Sequence, residues 1–189
     1  MQTRKERSQE DRKAVMVSTP NTLEIIEKTQ EYLDCVKEHV SNVRKAWADV
    51  KDKCKDMRFM WDDFYFFSIE DSIDYHDVSK LSEHEFIQYR KAFYPAPGEP
   101  KFDMSGALEH HKENNPHHWE NWTTITPRFD ADWEVHCVHM VVDWIAMGYK
   151  FGDTARDYYD ANKHKINIPD YAVDFISQIF DRVYGVTKN

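Results

Sequence analysis

Glycine is scarce in this chain, with five among 189 residues, and none of them sits in a Walker A, GxGxxG or G-x-S-x-G pattern. Phosphate-cradling glycine loops, dinucleotide folds of the Rossmann type and α/β-hydrolase elbows therefore have no foothold, and the absence of HExxH removes the zincin reading. Cysteine is nearly as rare. Cys35, Cys54 and Cys137 are far apart and odd in number, so neither a disulfide framework nor a zinc ribbon is expected. No run of about 18 apolar residues occurs, and no apolar stretch follows the charged residues Arg4 to Lys13, so neither a spanning helix nor a secretion signal is expected. Positive charge is also in deficit, 25 basic against 34 acidic residues. A net −9 argues against coating nucleic acid or lying on an anionic membrane, while leaving room for a local basic pocket. The expectation is a soluble, cytoplasmic protein without an extended nucleic-acid surface.

Apolar and aromatic residues, by contrast, are plentiful enough to bury one sizeable core. Residues 1–20 are polar and closed off by Pro20, which predicts a flexible leader ahead of a single domain over 21–189. From Thr22, the positions Leu23, Ile26, Leu33, Val36, Val40, Val43, Trp47 and Val50 recur at three- and four-residue steps, predicting one long helix with His39 at the edge of its apolar stripe. A second helix is expected from about Met60 to Tyr75, and a third opening on a Ser82-x-x-Glu85 capping box. Residues 95–100, rich in proline, form a loop; further helices follow at about 103–114, 131–147, 154–161 and 170–184. The fold class is all-α, a bundle of six or seven helices. Asn121-Trp122-Thr123 matches a glycosylation sequon, read as accidental without a secretion signal.

Ten histidines are the most unusual count. His39, His76-Asp77 and Asp143 fall within or at the ends of predicted core helices, and imidazole with carboxylate is an ordinary ligand set for zinc, iron, manganese or nickel. Read alone, a His-Asp dipeptide at a helix end serves equally as a cap. Four more histidines lie in His110-His111 and His117-His118. His111 shares a helical face with Met104 and Leu108, while Pro116 breaks the helix and could swing His117 or His118 back. A polar turn pairing with Glu109, Glu113 or Glu120 explains the same residues. His136, His139 and Asp143 share a face, so His139 could orient Asp143 or a bound water. Lys80 is placed to hold a phosphate oxygen, with Lys112, Lys150 and Arg156 as weaker anion-binding candidates. Trp119 and Trp122 beside the histidine turn could stack on a nucleobase, although core packing accounts for most tryptophans.

The order His39, His76-Asp77, Asp143 resembles the HD-domain superfamily of helical metal-dependent phosphohydrolases, over about residues 22–165. Residues 76–82, 107–119 and 140–144 are similar, more narrowly, to an uncharacterised phage and bacterial HD-like family. The resemblance implies an HD-like bundle with His39, His76, Asp77 and Asp143 on one divalent transition metal (Mn, Fe, Co, Ni or Zn). It allows one ion or two, the second, where there is one, on His111 and His118 with Asp77 bridging. The expected activity is hydrolysis of a nucleotide or other small phosphate ester, with Asp77 and Lys80 catalytic and with Lys80, Lys112 and Trp122 binding substrate. Homo-oligomers are compatible with it, and a phage-encoded copy would work in the host cytoplasm. HD scaffolds also support di-iron oxygenases, and a degenerate pocket would merely sequester a nucleotide; these are the competing expectations.

Overall fold

The computed structural model describes residues 20–100, 102–121 and 133–186, and all the structural statements below concern these. Seven α-helices and no strand occur among them. Helix α1, Thr22–Lys53, opens on a capping box in which Asn21 Oδ1 accepts from the backbone N–H groups of Leu23 and Glu24, and Glu24 accepts from that of Asn21. Its second half buries Val43, Ala46, Trp47 and Val50. The first half outruns its packing partners, so Leu23 and Ile26, although on the predicted stripe, stay exposed at 70% and 57%.

Helix α2, Asp63–Asp74, starts later than the aromatic run suggested, because a short 3-10 turn at Arg58–Met60 precedes it and Asp62 caps Phe64 N–H. Helix α3, Phe86–Phe93, lacks the expected capping box: Glu85 makes no side-chain cap and is wholly buried. Helix α4, Ser105–Asn114, begins where Asp103 accepts from Ser105 N–H.

Helix α5, Trp133–Phe151, is the centre of the molecule. It buries residues around most of its circumference, including Val135, Cys137, Val138, Val141, Val142 and Ile145, as an internal helix must. It continues past Gly148, where its end was expected. A Cβ there would stand 2.6 Å from the Asp153 carbonyl oxygen, so glycine lets the following turn fold back closely, and Gly152 at φ +81° completes that turn. Helix α6, Ala155–Asn162, carries a Thr154/Asp157 capping box, and α7, Asp170–Tyr184, ends at Gly185 with φ +86°. Helices α1, α2 and α7 pack against α5 to form one core from Val43 to Phe180. A smaller cluster of Tyr32, Tyr89 and Ala107, with Val36 and Met104, joins α1, α3 and α4.

Asn121 is buried, and its amide donates to the Lys112 and Glu113 carbonyls at the end of α4. That contact gives the sequon asparagine a structural task and keeps it from a glycosyl acceptor role.

Candidate metal centre

The site lies where the middle of α1, the turn after α2, the C-terminal end of α4 with its following turn, and the middle of α5 meet. His39 enters from α1, Asp143 and His139 from α5, and His111 from α4. His76 and Asp77 follow the last turn of α2. Asp77 is the sole described non-glycine residue at positive φ, 57° with ψ 21°. Aspartate tolerates the left-handed region better than most residues, but holding it there still costs on the order of 1 kcal/mol, a strain typical of functional sites. The twist turns the two carboxylate oxygens toward two different sets of side chains.

On the Oδ2 side, His76 Nε2 lies 3.3 Å away and His39 Nε2 3.5 Å away. These two nitrogens are 2.9 Å apart, and Asp143 Oδ1 is 3.2 Å from His39 Nε2 and 3.8 Å from His76 Nε2. On the Oδ1 side, His111 Nε2 stands at 3.2 Å and His117 Nε2 at 3.4 Å, with His118 in the same group. Ligands bound at about 2.1 Å from one ion stand roughly 3 to 3.5 Å from each other, so these separations are those of coordination-sphere edges.

Two groups of side chains that could hold a metal ion therefore share one neighbourhood: His39, His76 and Asp143 in one, and Asp77, His111, His117 and His118 in the other. The donor atoms fit this reading in a second way. Asp77 Oδ1, Asp143 Oδ1, His117 Nε2 and His118 Nε2 are buried without a hydrogen-bond partner. Uncompensated buried polar atoms are expensive, and four aimed at common points suit cation binding.

The electrostatics prepare the same chemistry. Burial alone would push the Asp77 and Asp143 carboxyls up. The neighbouring His76 and Lys80 for Asp77, and chiefly the hydrogen bond from His39 for Asp143, hold both below the usual carboxylate range. Burial lowers the pKa of His117 and His139, and takes His118 down to about 3 with help from His117 and His111. These rings are neutral and keep a lone pair. His39 differs: burial opposes its charge, but the Asp143 and Asp77 carboxylates override that and raise it to about 9.

Surrounding groups fix the ring orientations. His111 Nδ1 donates to Glu85 Oε2 at 2.9 Å, which turns Nε2 toward Asp77, and His110 Nδ1 donates to Glu85 Oε1 at 2.7 Å. Glu85 was read from the sequence as a helix cap. An ionised carboxylate gains more from two imidazole donors in a buried site than from an exposed backbone N–H, so tertiary packing takes it out of the cap. His76 Nδ1 lies 2.8 Å from His139 Nε2, so His139 orients His76 rather than Asp143. A third grouping, His76, His117 and His139, overlaps the other two.

Lys80 reaches back to Asp77 Oδ2 at 2.5 Å, and the Asp77 charge raises its pKa against the opposing effect of burial. Lys112 does not line the cavity over these residues. It pairs with Glu120 at 2.7 Å, because the residue after His111 is rotated about 100° around the helix. Trp122 lies outside the described residues, and Trp119 packs against the main core. Lys150 does line the cavity, bound to Glu38 at 3.2 Å, while Arg156 pairs with Asp181. His136 is half-buried on the outer part of α5. His117 and Glu85 are the side chains the sequence underweighted; the burial of His117 at 3% depends on a turn after Pro116 that no helical periodicity describes.

The cavity above the cluster has a volume of about 700 Å³ and is floored by His39, Asp77, His111, His117, His118 and Asp143. A small organic ligand fits such a space. No helix among the described residues is long and apolar enough to cross a membrane. Neither a search of curated proteins nor one of solved structures gives a match. Residues 28–182, which carry every side chain of the cluster, match the model of DUF5662, a family of unknown function, and the chain belongs to that family.

Proposed function

We propose that the protein is a metal-dependent phosphohydrolase of HD type, acting on a nucleotide or another small phosphate ester. The observation that carries this reading is the pair of donor groups on opposite oxygens of Asp77, with Lys80 beside them at the floor of a ligand-sized cavity. His39, His76, Asp77 and Asp143 would hold one divalent ion, and Asp77 with His111, His117 and His118 a second. Bound there, such ions neutralise phosphate charge and supply a nucleophilic hydroxide from water near neutral pH. Lys80 binds a phosphate oxygen and stabilises the charge that accumulates at phosphorus. Glu85 and His139 keep the rings of His111 and His76 aimed inward. A ligand seated against the apolar walls displaces water there, which strengthens each of these contacts.

The test is metal analysis of the purified protein, with phosphate release measured from p-nitrophenyl phosphate and a panel of nucleotides in Mn, Fe, Co, Ni or Zn. Turnover that depends on metal and is lost in Asp77→Ala, with the fold intact by circular dichroism, is the expected result. Nucleotide binding that survives complete metal removal, without turnover under any metal, would overturn it in favour of a sequestering protein. The sharing of Asp77 by two donor groups also favours a second reading, a di-iron oxygenase. Iron content with an oxygen-dependent change in the visible spectrum, and no phosphate release, would select it.

A further inference from the structure

The walls of the cavity say more about the substrate than its floor does. Away from the ligand cluster the lining is mostly apolar, Val36, Phe93, Met104, Leu108, Met147 and Phe151 with Trp144 and several tyrosines, and its polar part is Cys35, Lys150 and the exposed Asp153. Two of the tyrosine hydroxyls are already engaged: Tyr32 donates to the Lys80 carbonyl at 3.2 Å and Tyr89 to the Ala107 carbonyl at 3.4 Å. Lys150 is held by Glu38 and Cys35. No asparagine, glutamine or arginine lines this cavity among the described residues. Those are the side chains that read the hydrogen-bonding edge of a nucleobase with two bonds at once. A carboxylate can also read a base edge, but Asp153, the one carboxylate in the lining outside the cluster, is exposed, and a mostly apolar wall discriminates by the area it covers.

We infer that the preferred ligand is a phosphate monoester whose organic part is apolar, an aliphatic chain or plain aromatic group seated among Val36, Met104, Leu108, Met147 and Phe151. This rests on the phosphohydrolase reading above and narrows its substrate class. Phosphate is bound at the floor by metal and Lys80, and selectivity comes from the hydrocarbon rather than from a base. Nucleotides then bind without regard to base identity, and less well than an apolar ester of similar size.

The experiment uses the full-length protein loaded with Mn²⁺ and isothermal titration with inorganic phosphate, then methyl-, butyl- and hexylphosphonate, then AMP, GMP, CMP and UMP. Alkylphosphonates carry the dianionic head on a carbon–phosphorus bond that hydrolysis does not cleave, so binding is read without turnover. Affinity rising by roughly threefold per methylene from methyl to hexyl, with the four nucleotides within a few-fold of one another, is the expected result. Phosphonates that all bind as phosphate does, or one nucleotide preferred more than about tenfold over the others, would overturn the inference and leave the phosphohydrolase reading standing. Failure of phosphate and every phosphonate to bind the loaded protein would overturn both. Equal binding of hexanol and hexylphosphonate would show an apolar pocket that ignores phosphate, and would also defeat the proposal.

Discussion

The two sides of Asp77 are built from different material. The Oδ2 side takes its side chains from α1, the end of α2 and α5, the helices that enclose the main core, and it contains a second carboxylate, Asp143. The Oδ1 side takes three histidines from the short α4 and the turn behind it, which pack against the smaller cluster. One side is rich in oxygen and braced by the core; the other is rich in nitrogen and rests on a single buried carboxylate, Glu85. The difference teaches that the two positions should differ in metal preference and in sensitivity to mutation. Carboxylate-rich sets suit harder ions such as manganese, and imidazole-rich sets suit zinc, iron or nickel.

Asp77 is the residue both sides share, so its loss should have the largest effect. Asp77→Asn keeps a side chain that tolerates the left-handed backbone. It removes the charge that both positions need. On the two-ion phosphohydrolase reading proposed above, metal content should fall to none, and turnover by at least about a thousandfold. Retention of one ion at full occupancy, measured by plasma emission, would break the picture of a shared bridge.

Glu85→Gln should separate the sides. Its carboxylate fixes the His111 ring, and loss of such an orienting partner weakens metal affinity by about 10- to 100-fold. The weakening should fall on one ion only, leaving the other bound with unchanged affinity in a stepwise titration. Uniform weakening of both ions would mean that the sides do not act separately.

That Glu85 escaped a reading from sequence, while His39, His76, Asp77 and Asp143 did not, has a physical cause. Apolar spacing made the all-α fold legible and put His39 at the edge of a buried stripe, while the four were drawn together by the resemblance of their order to that of HD domains. Glu85 belongs to an S-x-x-E pattern that local energetics would use as a cap, and only the approach of α4 makes the buried alternative better. The choice between His117 and His118 was illegible because the helical frame ends at Pro116; the turn places both in one group. The exposure of Leu23 and Ile26 was hidden for a related reason. Periodicity shows a face, but not how far the neighbouring helices extend along it.

In the metal-free protein the two sides should also respond to pH in opposite directions. His39 on the oxygen-rich side is raised from 6.5 to about 9, so its contribution to stability is complete below about pH 6.5 and is lost as pH rises through about 9. His118 on the nitrogen-rich side is lowered from 6.5 to about 3, so its contribution is complete above about pH 6.5 and is lost as pH falls toward 3. The melting temperature should therefore decline by several degrees on both flanks. His39→Gln should flatten the alkaline flank, and His118→Gln should make the acid flank shallower without abolishing it, because His117 and His139 are lowered too and because below about pH 4 the two aspartates take up protons on unfolding. Loss of the same flank in both variants would show that the sides are not electrostatically distinct.

The smallest expected effect marks where the nitrogen-rich side stops. Lys112 follows His111 directly, and its charge and position invite a role in binding phosphate. The helix turns it away to Glu120, where both partners remain partly exposed at 32% and 24%. An ion pair of that exposure contributes about 0 to 1 kcal/mol, screened further by salt. Lys112→Ala should therefore shift the melting temperature by no more than about 3 °C in a chain of this size and change turnover by less than about twofold. Lys80→Ala, which removes the ammonium beside Asp77, should raise KM for a phosphate ester or lower its turnover by at least tenfold. If Lys112→Ala did the same, α4 would have to rotate on ligand binding, and the boundary drawn between the histidine group and the solvent face of that helix would be wrong.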